Sequence, residues 1–87
     1  MTREAVGEAA YACGQYDIAL REFKTAARIS GSAAYLPLIA DCERGVGHPD
    51  KALALAGSDQ VASLNHEAQV EMRIVAAGAR QIGRAHV

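Results

Sequence analysis

The chain has 87 residues, of which 51% are hydrophobic and only 5% aromatic, with nine Lys plus Arg against ten Asp plus Glu for a net charge of −1. That length holds one small domain, and no window approaches the roughly 20 apolar residues of a membrane span. Arg21, Arg28, Arg44, Arg73 and Arg80 are interleaved with acids rather than grouped, which argues against a phosphate-binding face. Neither nucleic acid nor membrane is an expected partner.

Met1-Thr2-Arg3-Glu4 leads into an amphipathic pattern with no apolar h-region, so a secretory signal is not expected and the cytoplasm is the expected compartment. Seven Arg against two Lys, with abundant Ala and Gly, fit a GC-rich bacterial genome. Thr2 is placed to cap a first helix running to about Cys13, and Gly14 stands where helices commonly end in the left-handed conformation. Asp17 opens a second helix in which Ile18, Ala19, Phe23, Ala26, Ala27 and Ile29 recur at spacings of three and four. Ser30-Gly31-Ser32 closes it. A third helix carries Tyr35, Leu36, Leu38, Ile39 and Cys42, with Pro37 tolerable in its first turn and Gly45 and Gly47 at its end.

His48-Pro49-Asp50 starts a fourth helix, where proline suits the first helical position. Gly57-Ser58-Asp59 interrupts it, so a short helical turn is expected from Gln60 to Ser63. Asn65 is placed to cap a fifth helix from about His66 to Arg80. Its apolar residues fall on two sides, with Ala68, Met72, Val75, Ala76 and Ala79 on one and Val70, Ile74 and Ala77 on the other. A helix apolar on two faces expects neighbours on both. The last six residues, Ile82-Gly83-Arg84-Ala85-His86-Val87, read as the translation of a widely used sequencing-library adapter. Residues 82–87 are therefore expected to be a non-native tail on a truncated chain, outside fold reasoning.

The strongest feature is a repeat. Gly14-Gln15-Tyr16-Asp17-Ile18-Ala19-Leu20 recurs as Gly47-His48-Pro49-Asp50-Lys51-Ala52-Leu53, with Gly, Asp, Ala and Leu all displaced by 33 residues (47 − 14). A fixed period of this length means stacked helical hairpins, each presenting surface to a neighbour or a ligand. The run Val6-Gly7-x2-Ala10, then Gly14, then Ala19-x3-Phe23 and Ala26, resembles the tetratricopeptide repeat. The second unit keeps Gly47, Ala52 and Leu53, while Ala56 replaces the residue matching Phe23 and Asp59 the one matching Ala26. Ankyrin shares the period, but its opening threonine-proline-leucine-histidine turn has no counterpart.

The resemblance implies an all-α solenoid of about two and a half repeats: one hairpin over 1–31, a second with a degenerate second helix over 32–64, and the first helix of a third over 65–81. Gly7, Gly14, Ala19, Phe23, Ala26, Gly47, Ala52 and Leu53 take the repeat-defining packing positions. In that family the first helix of each pair lines a concave groove that holds a protein or peptide segment. Carried onto this chain, the groove candidates are Glu4, Glu8, Tyr11, Pro37, Asp41 and Arg44. Acids stand at Glu4, Glu8 and Asp41 where the family's best-known mode uses a lysine and asparagines to clamp a terminal carboxylate. A neutral or basic segment suits such a groove better.

No constellation for chemistry is legible. Cys13 and Cys42 stand alone at no metal-ligand spacing, His48 precedes Pro49 at a helix start, and His66 beside Glu67 lacks the second histidine four residues on. His86 falls in the suspect tail. The eight glycines form no phosphate-cradling cluster. No catalytic residue, metal or cofactor is expected, and the chain reads as a non-enzyme that binds another protein by shape. The alternatives are a structural spacer or a regulatory arm of a larger polypeptide. Self-association through the fifth helix is a further expectation, because two and a half hairpins bury little and leave Val70, Ile74 and Ala77 uncovered.

Overall fold

The computed structural model describes residues 1–85, and His86 and Val87 of the suspect tail lie outside the described residues. The chain is all-helical: α1 (Arg3–Ala12), α2 (Tyr16–Ser30), α3 (Leu36–Gly45), α4 (Pro49–Ala56) and α5 (His66–Ala85). Short 3-10 turns at Ala33–Tyr35 and Asp59–Ser63 precede α3 and α5, and no strand occurs among the described residues.

The 33-residue period of the sequence reappears in the backbone. α1 and α3 each have ten residues, and their bounds are displaced by that period, as are the first residues of α2 and α4. The turns that separate the paired helices repeat bond for bond. Gln15 N–H donates to the Ala10 carbonyl and Gly14 N–H to that of Tyr11; one period later His48 N–H donates to Glu43 and Gly47 N–H to Arg44. Both glycines take positive φ, 75° and 92°, which satisfies the last carbonyls of the helix by a left-handed residue that only glycine adopts without strain.

Other helix ends follow local chemistry. Thr2 Oγ1 accepts the Ala5 N–H at 3.0 Å, and Asn65 Oδ1 accepts the Ala68 N–H at 2.8 Å, so both expected caps are in place. Asp17 falls inside the first turn of α2 rather than ahead of it, where its charge meets the positive end of the helix. Tyr35 belongs to the 3-10 turn, not to α3, because Ser32 caps that turn through the Ala34 N–H at 3.1 Å.

Two layers of core share α3. Its Ile39 and Cys42 pack with Ala10, Ala19 and Phe23 of the first hairpin, while Leu36 and Ala40 pack with Ala52, Leu64, Met72, Val75 and Ala79. Close approach is bought by missing side chains: a Cβ on Gly7 would lie 2.9 Å from the Phe23 ring, and one on Gly45 only 2.6 Å from that of Tyr16. Ala19 and Ala52, equivalent by the period, are both wholly buried.

The fifth helix departs from expectation in its length, and it leaves Ile74 and Ala77 of its second apolar face uncovered, as expected. It continues past Arg80 to Ala85, because position 80 is the equivalent of Gly14 and Gly47 and carries arginine, a good helix former. Its burial is also one-sided. Met72, Val75, Ala76 and Ala79 are buried, whereas Val70 is half-buried, and Ile74 and Ala77 are exposed.

Candidate partner groove

The sequence candidates lie on successive first helices, Glu4, Glu8 and Tyr11 on α1 and Pro37, Asp41 and Arg44 on α3, and the fold brings part of this set together. Tyr11, Pro37 and Asp41 line one cleft of about 340 Å³ with Leu38 of α3 and Glu71, Ile74 and Val75 of α5. One face of three helices thus supplies its walls. Pro37 is buried, Tyr11, Leu38 and Asp41 are half-buried, and Ile74 stands 67% exposed. An aliphatic side chain that far in water contributes no burial energy until something covers it.

Asp41 is the electrostatic hub of the cleft. One carboxylate oxygen accepts from Nε and Nη2 of Arg44 at 2.9 and 2.6 Å, and the other accepts the Tyr11 hydroxyl. Burial, then this hydrogen bond and the Asp41 charge, drive the Tyr11 phenol well above its ordinary value. The bond to Asp41 raises Arg44 too. Tyr11 therefore stays a neutral donor, and Asp41 and Arg44 stay an ion pair. Arg44 is not a free groove cation.

The remaining acids are different. Glu4 and Glu8 are exposed on α1; burial, then a hydrogen bond to Glu4 and the charges of Glu4 and Glu8, raise the Tyr35 phenol, so both carboxylates stand near Tyr35. Glu71 is exposed at the α5 side of the cleft. The face thus combines an apolar lining and the exposed Glu71 carboxylate in the cleft with the exposed acids of α1 outside it.

Below it, all four aromatic rings of the chain form one cluster. Tyr11 lies 5.7 Å from Tyr16 and 6.4 Å from Phe23, both edge-on, and Phe23 lies 6.2 Å from Tyr35. Away from the cleft, the buried Glu43 carboxylate meets Lys24 at 3.5 Å and His48 Nδ1 at 3.3 Å. His48 occupies the cap position of α4 without capping it through its side chain. Cys42 is buried and Cys13 exposed. Burial, with Asp41 and Glu43 beside it, pushes the Cys42 thiol up to about 11.

Four lining residues were not among the sequence candidates: Leu38, Glu71, Ile74 and Val75. A signal for the α5 side was present. Continuing the period from Pro37, Asp41 and Arg44 leads to Val70, Ile74 and Ala77, the same three residues that read as an uncovered face of the fifth helix. No protein-family model, curated protein or solved structure matches the chain.

Proposed function

We propose that this chain is a tetratricopeptide-like interaction module in which the α1–α3–α5 face holds a segment of another protein. The observation that carries the reading is the cleft itself: Ile74 and Leu38 form an apolar surface that the fold leaves open, with the exposed carboxylate of Glu71 on its α5 side and that of Glu8 exposed on α1 outside its lining. Such a surface favours a segment with an aliphatic or aromatic side chain for the apolar part and Lys or Arg beside it. Apolar burial supplies the affinity, and the rim acids steer approach and set the preferred sign of charge. The repeated turns and hairpin bounds support the array reading, in which each hairpin presents its first helix to the same side.

The test uses two peptides with one central leucine, flanked by lysines in one and by glutamates in the other, and fluorescence anisotropy on the whole chain. The lysine peptide is expected to bind, more weakly as salt rises, and to lose affinity for the Glu8→Lys/Glu71→Lys variant. Equal binding of both peptides, or none, overturns the reading.

A further inference from the structure

Two acids line the α1–α3–α5 cleft, Asp41 on α3 and Glu71 on α5, and they differ in what holds them. Arg44 stands one turn along α3 from Asp41 and outside the lining, yet its Nε and Nη2 both reach the same Asp41 oxygen, at 2.9 and 2.6 Å. The Tyr11 hydroxyl donates to the other oxygen. A carboxylate offers about four acceptor sites, so the chain's own donors take most of those on Asp41. Glu71 has no ion-pair partner among the described residues. The Asp41 and Arg44 side chains are 15% and 31% exposed, so their opposite charges cancel at short range and partly out of water.

The repeat shows what that pairing changes. The equivalents of Asp41 one period either way are Glu8 and Ile74, and those of Arg44 are Tyr11 and Ala77. Glu8 has no arginine three residues on and stands exposed, whereas Ile74 carries no charge at all. Asp41 could behave as either neighbour, and Arg44 decides which. We propose that Arg44 sets the side-chain preference of the cleft: by holding Asp41 it cancels that acid's charge, and the cleft takes an aliphatic side chain where the bare acid would take a lysine. The inference rests on this face being a partner site and adds which residue selects the side chain bound there. An ammonium entering beside the satisfied pair loses its water and meets no uncompensated charge, which is costly. A leucine loses nothing polar and gains contact with Leu38, Ile74 and Val75. Without Arg44 the balance reverses, because Asp41 keeps only the neutral Tyr11 donor and its charge faces the cleft. Arg44 acts through Asp41, so it is a positioning residue.

The probes are two lysine-flanked peptides, one with a central leucine and one with a central lysine, read by fluorescence anisotropy on the whole chain. The wild type is expected to prefer the leucine peptide by about tenfold or more. Arg44→Gln, which keeps much of the stem and removes the charge, is expected to bring the two affinities within about threefold or to reverse their order. Arg44→Met serves if that variant unfolds by circular dichroism. Asp41→Asn/Arg44→Gln removes both charges and restores the preference, and Arg44→Lys retains it. Arg28→Gln makes the same change in net charge at a different cleft, beside Leu36 and Ile39, and leaves the preference unaltered. A merely structural Arg44 would weaken both peptides together. An unchanged ratio in the folded Arg44 variants therefore overturns the inference and leaves the partner site in place. So does a double variant that still accepts the lysine peptide, or an Arg28→Gln variant that shifts the ratio as far. If no folded form binds the leucine peptide, the partner site itself fails and the inference falls with it.

Discussion

The Tyr11 hydroxyl donates to the Asp41 carboxylate across 30 residues of sequence, joining α1 of the first hairpin to α3 of the second. The same carboxylate is gripped by Arg44 through two donors from its own helix. One acid therefore sets the register between hairpins and, through Tyr11, the height of the aromatic cluster beneath the cleft.

Removing that hydroxyl leaves the ring contacts with Tyr16 and Phe23 and deletes only the bond. A hydrogen bond to a charged, part-buried group contributes about 1.5–3 kcal/mol. Tyr11→Phe should lower stability at the lower end of that range, because Arg44 still satisfies Asp41. Urea unfolding followed by far-UV circular dichroism reads the change, and an unaltered midpoint counts against the bond.

The local signals were the legible ones. Gly14 and Gly47 mark turns by their freedom at positive φ, Thr2 and Asn65 mark helix starts by capping, and Gly57-Ser58-Asp59 marks the break after α4. Those devices act over a few residues, so sequence carries them directly. What sequence hid were contacts set by how helices cross. Nothing near Gly45 in the chain announces the Tyr16 ring, and the pairing of Glu43 with Lys24 depends on the approach of α2 to α3. The extent of α5 was obscured differently: residues 82–85 were set aside as tail, while arginine at position 80 lets the helix continue through them.

Gly45 gives a direct test of close packing. A methyl group there meets the Tyr16 ring at 2.6 Å, so Gly45→Ala forces the half-buried ring aside. Overpacking of this kind costs about 1–3 kcal/mol. The same substitution in a Tyr16→Ala background should cost little, since the clash is gone and alanine favours helix over glycine. A double-mutant cycle on melting temperatures measures the coupling, and additive effects would place Tyr16 elsewhere.

The two thiols should differ in reactivity. Cys13 is exposed, whereas Cys42 is buried and its thiol is pushed up to about 11. Near pH 8 a thiol reagent is expected to modify one cysteine in the native chain and both in denaturant. The sign for stability follows from the upward shift. Cys42 and Tyr11 stay neutral in the fold at pH values where the unfolded chain begins to ionise, so their contribution is complete below their ordinary values and disappears as pH climbs through the folded ones. Stability should hold to about pH 9 and decline above it, which thermal melts across pH 7 to about 11 would reveal.

Phe23 is wholly buried and touches both Tyr11 and Tyr35. Truncating a buried phenylalanine costs about 3–5 kcal/mol, a large share of what a domain this small possesses. Phe23→Ala should abolish most helical signal at ambient temperature. Retained helicity with a cooperative melt would show that the first hairpin does not depend on this ring.

Finally, the acids of the α1–α3–α5 face should separate into two kinds. Asp41 is held by Tyr11 and Arg44, so Asp41→Lys leaves a part-buried phenol without its acceptor and sets a like charge beside the guanidinium. Lost stability is expected, and any loss of binding would be secondary to it. Glu8 and Glu71 are exposed, so Glu8→Lys and Glu71→Lys should shift the midpoint of unfolding by no more than about 0.5 kcal/mol. Their effect is expected on the association rate of a lysine-flanked peptide and on its salt dependence, as for charges at the rim of an interface. Stopped-flow association and urea midpoints on the same three variants make the comparison. A stable Asp41→Lys, or Glu8 and Glu71 variants that unfold early, would reverse the assignment of which acids build the cleft and which are free to meet a partner.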